Sequence, residues 1–245
     1  MLDNIKMDNI LFLDIETVPQ YQDFDSVPEE FKPFWEKKSN YFREDDQSAS
    51  DVYQRAGIYS EFGKIVCISV GIAVTKNHVR SFRLKSFFGN DEAILLQEFA
   101  NMIEKYHSSN KDLQLCAHNG KEFDFPYIAR RMLVNGIKLP KLLNIAGKKP
   151  WEIMLLDTME LWKFGDYKNY TSLNLLTHIF NIPTPKDDID GSMVADVFWK
   201  ENDLPRIVTY CEKDVLAIAQ LMLKYKGEEL ILKENVESTT INRLL

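Results

Sequence analysis

Residues 9–17 read Asn-Ile-Leu-Phe-Leu-Asp-Ile-Glu-Thr, an apolar run that turns acidic towards its end. The run over 9–15 predicts a buried β-strand. Asp14 and Glu16 lie two residues apart, so on a strand both side chains point to the same face. Neighbouring carboxylates repel one another and are costly to desolvate, and a bound divalent cation relieves both effects. The triplet predicts either a cation site or, as is common in an acidic chain, a polar strand end.

The bulk composition fits one large domain over residues 1–245, with enough apolar residues for a core, since 45% are hydrophobic. A net charge of −7 and a pI of about 5.2 argue against a protein that coats nucleic acid by bulk charge. Cys67, Cys116 and Cys211 are far apart and lack metal-ligand spacing, which predicts reduced thiols and a cytoplasmic protein. We expect neither a signal peptide nor a membrane span.

The order of predicted elements indicates an α/β domain with a mixed sheet. Lys76-Asn77 predicts a hairpin turn between the second and third strands. Residues 19–62, which are polar, aromatic and acidic, predict an insertion over one face. Sites in such sheets form beyond strand ends, where Asp14, Asn119 and Asp157 are expected. Strands are predicted at 9–15, 64–74, 78–87, 113–117 and 153–156, and helices at 91–106, 126–135, 171–180, 192–200 and 205–226.

Two further acidic segments follow the first. Asp124 stands just before a predicted helix, where it serves as an N-cap, exposes its carboxylate at a strand-to-helix corner, or does both. Phe123 beside it belongs to the core or stacks on a base. Tyr210 and Asp214 are four residues apart on a predicted helix and so face the same way. A phenol one turn from a metal-bound carboxylate can hold a water. The alternative is an amphipathic helix with a half-buried Tyr and a solvated Asp.

Together these segments resemble the three motifs of the DEDD exonucleases, in their tyrosine-containing subgroup. The matching stretches are Asp14-Ile15-Glu16-Thr17, Asn119 through Asp124, and Tyr210 through Asp214. Residues 118–127 are also similar to the 3′–5′ proofreading domain of family-B DNA polymerases. The resemblance covers about residues 9–226 and implies a ribonuclease H-like fold. Because the chain ends soon after the last predicted helix, we expect an exonuclease with no polymerase domain attached.

The resemblance also implies a role for each site residue. Asp14, Glu16 and Asp214 would hold the cation that activates the attacking water. Asp14 would bridge to a second cation that Asp124 supports, and Tyr210 would orient the water. The implied cofactors are two ions of Mg²⁺ or Mn²⁺, roughly 4 Å apart, in an in-line displacement without a covalent enzyme intermediate.

The implied substrate is single-stranded nucleic acid, with DNA favoured over RNA because of the polymerase similarity. Residues 130–149 carry six basic residues and no acidic one, which indicates either a local phosphate track or a solvated surface. Alternatives are a non-catalytic nucleic-acid-binding module of the same fold, an RNA-directed exonuclease, and another metal hydrolase such as a phosphatase. Candidate substrate-binding residues are Thr17, Asn119, Phe123, Lys148 and Lys149.

Overall fold

A computed structural model describes residues 2–77, 79–166, 170–183 and 189–240. Within these ranges six strands form one sheet in the order β5-β4-β1-β2-β3-β6. β1 to β3 form an antiparallel meander, β4 and β5 run parallel to β1, and β6 runs parallel to β3. This confirms the predicted α/β class and the mixed sheet. The strands are β1 (Ile10–Pro19), β2 (Gly63–Lys76), β3 (Val79–Phe88), β4 (Gln114–Ala117), β5 (Leu155–Asp157) and β6 (Val236–Ser238).

Helices cover both faces of the sheet, and β1 divides its side chains between them. Leu11 and Leu13 join the cluster beneath α2 (Glu92–Ser109) and α3 (Asp124–Val134). Ile10 and Phe12 join the cluster beneath α7 (Leu204–Tyr225). Since side chains alternate along a strand, Asp14 lies on the α7 face. None of the helices in these ranges is long and apolar enough to cross a membrane. The helices are α1 (Lys32–Ser39), α2 (Glu92–Ser109), α3 (Asp124–Val134), α4 (Thr158–Lys163), α5 (Leu173–Ile179), α6 (Val194–Asp196, continued by a π-helical turn over Val197–Glu201) and α7 (Leu204–Tyr225).

β1 is longer than the sequence predicted, and this corrects the placement of Asp14. The strand continues to Pro19 because its antiparallel partner β2 continues to pair with it. The parallel ladder with β4 covers only Ile10–Phe12. Asp14 therefore lies inside the strand and not at its end, just beyond the last residue paired with β4. By contrast, Asp157 ends β5 and Asn119 follows the end of β4, as predicted.

The predicted insertion folds around a small aromatic core of its own. Trp35 on α1 is fully buried, and its Nε1 donates to the carbonyl oxygen of Ala49 at 2.8 Å. The rings of Tyr53 and Phe62 lie 5.6 and 5.3 Å from the Trp35 ring. The segment begins after Pro19, which belongs to β1, and ends where β2 begins.

Candidate metal centre

Asp14 and Glu16 carry the first part of an acidic cluster. Asp14 is half-buried and Glu16 is buried, and they lie opposite Ser69 and Cys67 of β2. Burial raises the pKa of Asp14 well above its ordinary value, and the charges of Asp124 and Asp214 raise it further. Burial, followed by the charges of Asp14 and Asp214, does the same to the pKa of Glu16. Without a cation these carboxylates therefore retain protons to well above the usual pH.

Asp124 joins the cluster from the first turn of α3. The N-cap position belongs to Phe123, so the prediction of an Asp124 cap is wrong. The chain has already turned before this point, because the amides of Glu122 and Phe123 donate to the Asn119 carbonyl oxygen. The Asp124 carboxylate accepts hydrogen bonds from its own amide and from the Ile15 amide. Burial outweighs them and raises the pKa of Asp124 to about 7.

One oxygen of Asp124 stands out within the described part of the chain. Oδ1 is buried and has no hydrogen-bond partner there, although the residue is only 3% exposed. A buried carboxylate oxygen without a partner is costly. A divalent cation would remove this cost, since hard carboxylate oxygens suit Mg²⁺ and Mn²⁺.

Tyr210 and Asp214 reach the cluster from α7. The Tyr210 hydroxyl hydrogen-bonds with the Asp214 carboxylate. Burial raises the pKa of Tyr210 strongly, and the charges of Asp214 and Glu16 raise it further, so the phenol keeps its proton. Both side chains are half-buried. The structure thus brings these two residues together with the β1 carboxylates, and the solvated Asp of the alternative interpretation is not what it shows.

Cys211 is a member of this cluster that sequence analysis missed. Its buried thiol donates to Asp14, with Sγ 3.4 Å from the carbonyl oxygen and 3.5 Å from Oδ2. One ligand atom each of Asp14, Glu16 and Cys211 can be chosen so that all three lie within 4.8 Å of one another. In the sequence Cys211 stands directly after Tyr210, but nothing in that position indicates a contact with β1.

Asp157 organises the turn that leads to Asp124. Its Oδ1 accepts from the amides of Asn119 and Met159, each at 2.9 Å, and its Oδ2 accepts from the Lys121 amide at 3.0 Å. Asp157 thereby caps α4 and fixes the turn after β4, where Asn119 has a left-handed φ of 61°. Its role in this geometry is structural.

The candidate substrate residues near the turn have mixed surroundings. Thr17 is half-buried and its hydroxyl interacts with the hydroxyl of Tyr127, which itself donates to the Gly57 carbonyl oxygen at 2.8 Å. The half-buried Phe123 ring lies 5.4 Å from the Tyr127 ring. Asn119 is half-buried, and its Oδ1 has no partner among the residues described. The Asn119 side-chain oxygen can therefore still accept a hydrogen bond from a bound ligand.

The basic stretch 130–149 does not act as one surface. Arg131 is 5% exposed and is held by Glu92, with Nη2 2.6 Å and Nε 2.9 Å from its two oxygens. It is therefore unavailable to phosphate, which corrects its inclusion in a phosphate track. Lys148 and Lys149 are exposed, and the Lys149 ammonium lies 5.2 Å from the centre of the Trp151 ring. The track, if formed, depends on these exposed lysines.

Comparison with known proteins places this geometry in context. A family described as predicted 3′–5′ exonuclease related to the exonuclease domain of PolB matches residues 58–244. The match contains Asp124, Tyr210 and Asp214 but begins after Asp14 and Glu16. The fold is also similar to the family B DNA polymerase of the hyperthermophilic archaeon Pyrobaculum calidifontis, with 15% identity and a TM-score of 0.49. That alignment covers 88% of this chain and 24% of the polymerase chain. No curated protein sequence matches.

Proposed function

Because the chain belongs to the family of predicted 3′–5′ exonucleases related to the exonuclease domain of PolB, we propose that it is a divalent-metal-dependent exonuclease acting on single-stranded DNA. The observation that carries the proposal is the meeting of three elements. Asp14 and Glu16 from β1, Asp124 from α3 and Asp214 from α7 influence one another's charge state in one cluster. Repulsion between buried carboxylates destabilises the fold, and a bound cation would relieve it.

The four carboxylates divide naturally into two groups. Asp14, Glu16 and Asp214 would hold one cation, and Asp124 would support a second cation that shares Asp14. Mg²⁺ or Mn²⁺ bound in this way supplies charge stabilisation to the attacking and leaving oxygens of an in-line phosphodiester displacement. The oxygen of Asp124 that lacks a partner fits this second position.

Tyr210 would orient the water that attacks the phosphorus. Its phenol is protonated at neutral pH and is held at the cluster by its hydrogen bond with Asp214. A hydroxyl fixed in this way can hold a water in line with the scissile bond, and such positioning contributes to rate more than to binding. Removal of the hydroxyl is therefore expected to slow hydrolysis but to leave metal binding unchanged.

The single-stranded DNA substrate would approach over the turn that follows β4. There the Asn119 amide can bond to a nucleotide and the Phe123 ring can stack on a base. Lys148 and Lys149 would neutralise phosphates further along the strand, which matters for a chain with a net charge of −7. DNA is proposed as the substrate in preference to RNA, in line with the similarity of residues 118–127 to family-B DNA polymerases.

Matched DNA and RNA oligonucleotides, labelled at either end, test the proposal. With Mg²⁺ or Mn²⁺, 5′-labelled single-stranded DNA is expected to yield a ladder that shortens from the 3′ end, and EDTA is expected to stop it. Release of the 5′ label as a mononucleotide at the start would contradict the polarity. Faster loss of RNA than of DNA would contradict the proposed substrate, and hydrolysis of small phosphate esters alone would contradict exonuclease action.

A further inference from the structure

The thiol of Cys211 is placed among the carboxylates in a way that hard cations do not require. It is fully buried, and its sulfur lies 3.5 Å from Asp14 Oδ2. Glu16 supplies a further oxygen within the same 4.8 Å grouping. Mg²⁺ and Mn²⁺ favour oxygen ligands, whereas thiolates favour softer cations such as Zn²⁺ and Cd²⁺.

The spacing matches what a tetrahedral thiolate–carboxylate site needs. Zinc–sulfur bonds of about 2.3 Å and zinc–oxygen bonds of about 2.1 Å place the two ligand atoms roughly 3.6 Å apart at a tetrahedral angle. The observed distance between Cys211 Sγ and Asp14 Oδ2 is 3.5 Å. The two atoms are thus already as far apart as they would be around one ion.

A second observation shows that the cluster has capacity for a ligand. Asp124, which is 3% exposed, keeps Oδ1 without a hydrogen-bond partner in the described part of the chain. Among the nearby charges, that of Asp124 raises the pKa of Asp14 the most. Asp14 itself is half-buried, so the cluster is open to solvent at this residue.

We propose that Cys211, Asp14 and Glu16 form a binding site for a thiophilic divalent cation, which competes with Mg²⁺ for the two carboxylates. The binding site itself does not depend on the proposed function; only its competition with Mg²⁺ rests on that function. On binding, the Cys211 S–H bond breaks, a sulfur–metal bond forms, and the proton passes to solvent. The cation withdraws Asp14 and Glu16 from the arrangement that the exonuclease needs. The protein is therefore inhibited by Zn²⁺ or Cd²⁺ in a way that an all-oxygen site is not.

Titration of the metal-free protein with Cd²⁺ tests this directly, because cadmium bound to thiolate has an ultraviolet charge-transfer band. Wild type is expected to show the band with one equivalent, and Cys211→Ser is expected to lack it. Loss of groups beyond the ligands already costs 10–100-fold in metal affinity, so loss of the sulfur should cost on the order of 100-fold or more. Cys116→Ser, altered in a buried thiol of β4, is the matched control and should keep the band.

Absence of the band in wild type, its persistence in Cys211→Ser, or its loss in Cys67→Ser alone would overturn the assignment. If Cys211→Ser does not fold, Glu16→Gln keeps the thiol and should weaken Cd²⁺ binding by at least about tenfold, whereas unchanged affinity would count against the site. Mg²⁺-dependent digestion by wild type is measured separately. Digestion without the cadmium band refutes only this site, and the band without digestion refutes only the exonuclease.

Discussion

Asp124→Asn is expected to stabilise the metal-free protein, although it removes a carboxylate that we propose binds a metal ion. The pKa of Asp124 rises from 3.8 to about 7, chiefly through burial. This difference corresponds to about 4 kcal/mol by which the ionised carboxylate opposes folding at pH 8. Because Oδ1 has no partner among the described residues, the single oxygen of Asn can keep both backbone hydrogen bonds, but a neutral acceptor is weaker than a carboxylate, which offsets about 1.5 kcal/mol. The expected gain at pH 8 is about 2–3 kcal/mol in the free energy of unfolding.

The stability of the metal-free protein is expected to fall as the pH rises. The folded state binds the Asp124 proton more tightly than the unfolded state, so its contribution to stability is fully present below pH 3.8 and is lost as pH rises towards 7. Wild type without metal should therefore lose stability between about pH 4 and pH 8. The Asn variant should lose less, so the two converge at low pH. Saturating Mg²⁺ should reverse their order at pH 8, because a ligand of the folded state stabilises wild type more.

Urea unfolding in EDTA, followed by tryptophan fluorescence, measures these differences. Asp157→Asn is the matched control, since it makes the same change at a residue that is also 3% exposed. The Asp157 carboxylate accepts several backbone amides, so this variant should be destabilised by about 3 kcal/mol at pH 8. If Asp124→Asn were destabilised at pH 8 as much as Asp157→Asn, the account of an unsatisfied, cation-seeking carboxylate would be refuted.

Other variants probe the remaining parts of the proposed mechanism. Asp14→Ala should abolish cleavage yet leave the circular dichroism spectrum unchanged, since it removes a repelling charge; digestion near the wild-type rate would dismiss Asp14 as a ligand. Tyr210→Phe should slow single-turnover hydrolysis on the order of 100-fold while the Mg²⁺ dependence of binding stays the same. An equal rate at saturating Mg²⁺ would make the tyrosine a packing residue. Reversal of the charges of Lys148 and Lys149 should weaken DNA binding and flatten its dependence on salt, and an unchanged slope would leave them as solvated surface.

The long elements could be predicted from the sequence because their patterns are strong. The apolar runs of β1 to β3 and the amphipathic stripes of α2 and α7 appear where they were expected, with boundaries shifted by a few residues. α4 was not predicted, since its six residues begin directly after Asp157 and are too few for a periodic pattern. β6 was also missed, because a three-residue edge strand depends on pairing with β3, which is remote in sequence.

The site could be predicted in its residues but not in its environment. The spacing of Asp14 with Glu16, and of Tyr210 with Asp214, follows from strand and helix periodicity. Burial and contacts across the fold do not. The thiol of Cys211 against Asp14 joins residues 197 positions apart, which no local pattern reports. The buried pairing of Arg131 with Glu92 likewise cannot be distinguished in sequence from an exposed basic residue.

The central claim is that this acidic cluster uses divalent cations to hydrolyse DNA from its 3′ end. Single-turnover digestion of 5′-labelled single-stranded DNA measures it most directly, with wild type, Asp14→Ala, and Asp112→Ala as a control altered at an exposed acid before β4. We expect stepwise shortening from the 3′ end by wild type and Asp112→Ala in Mg²⁺, and no shortening in EDTA or by Asp14→Ala. Undiminished digestion in EDTA, or by folded Asp14→Ala, would contradict the claim.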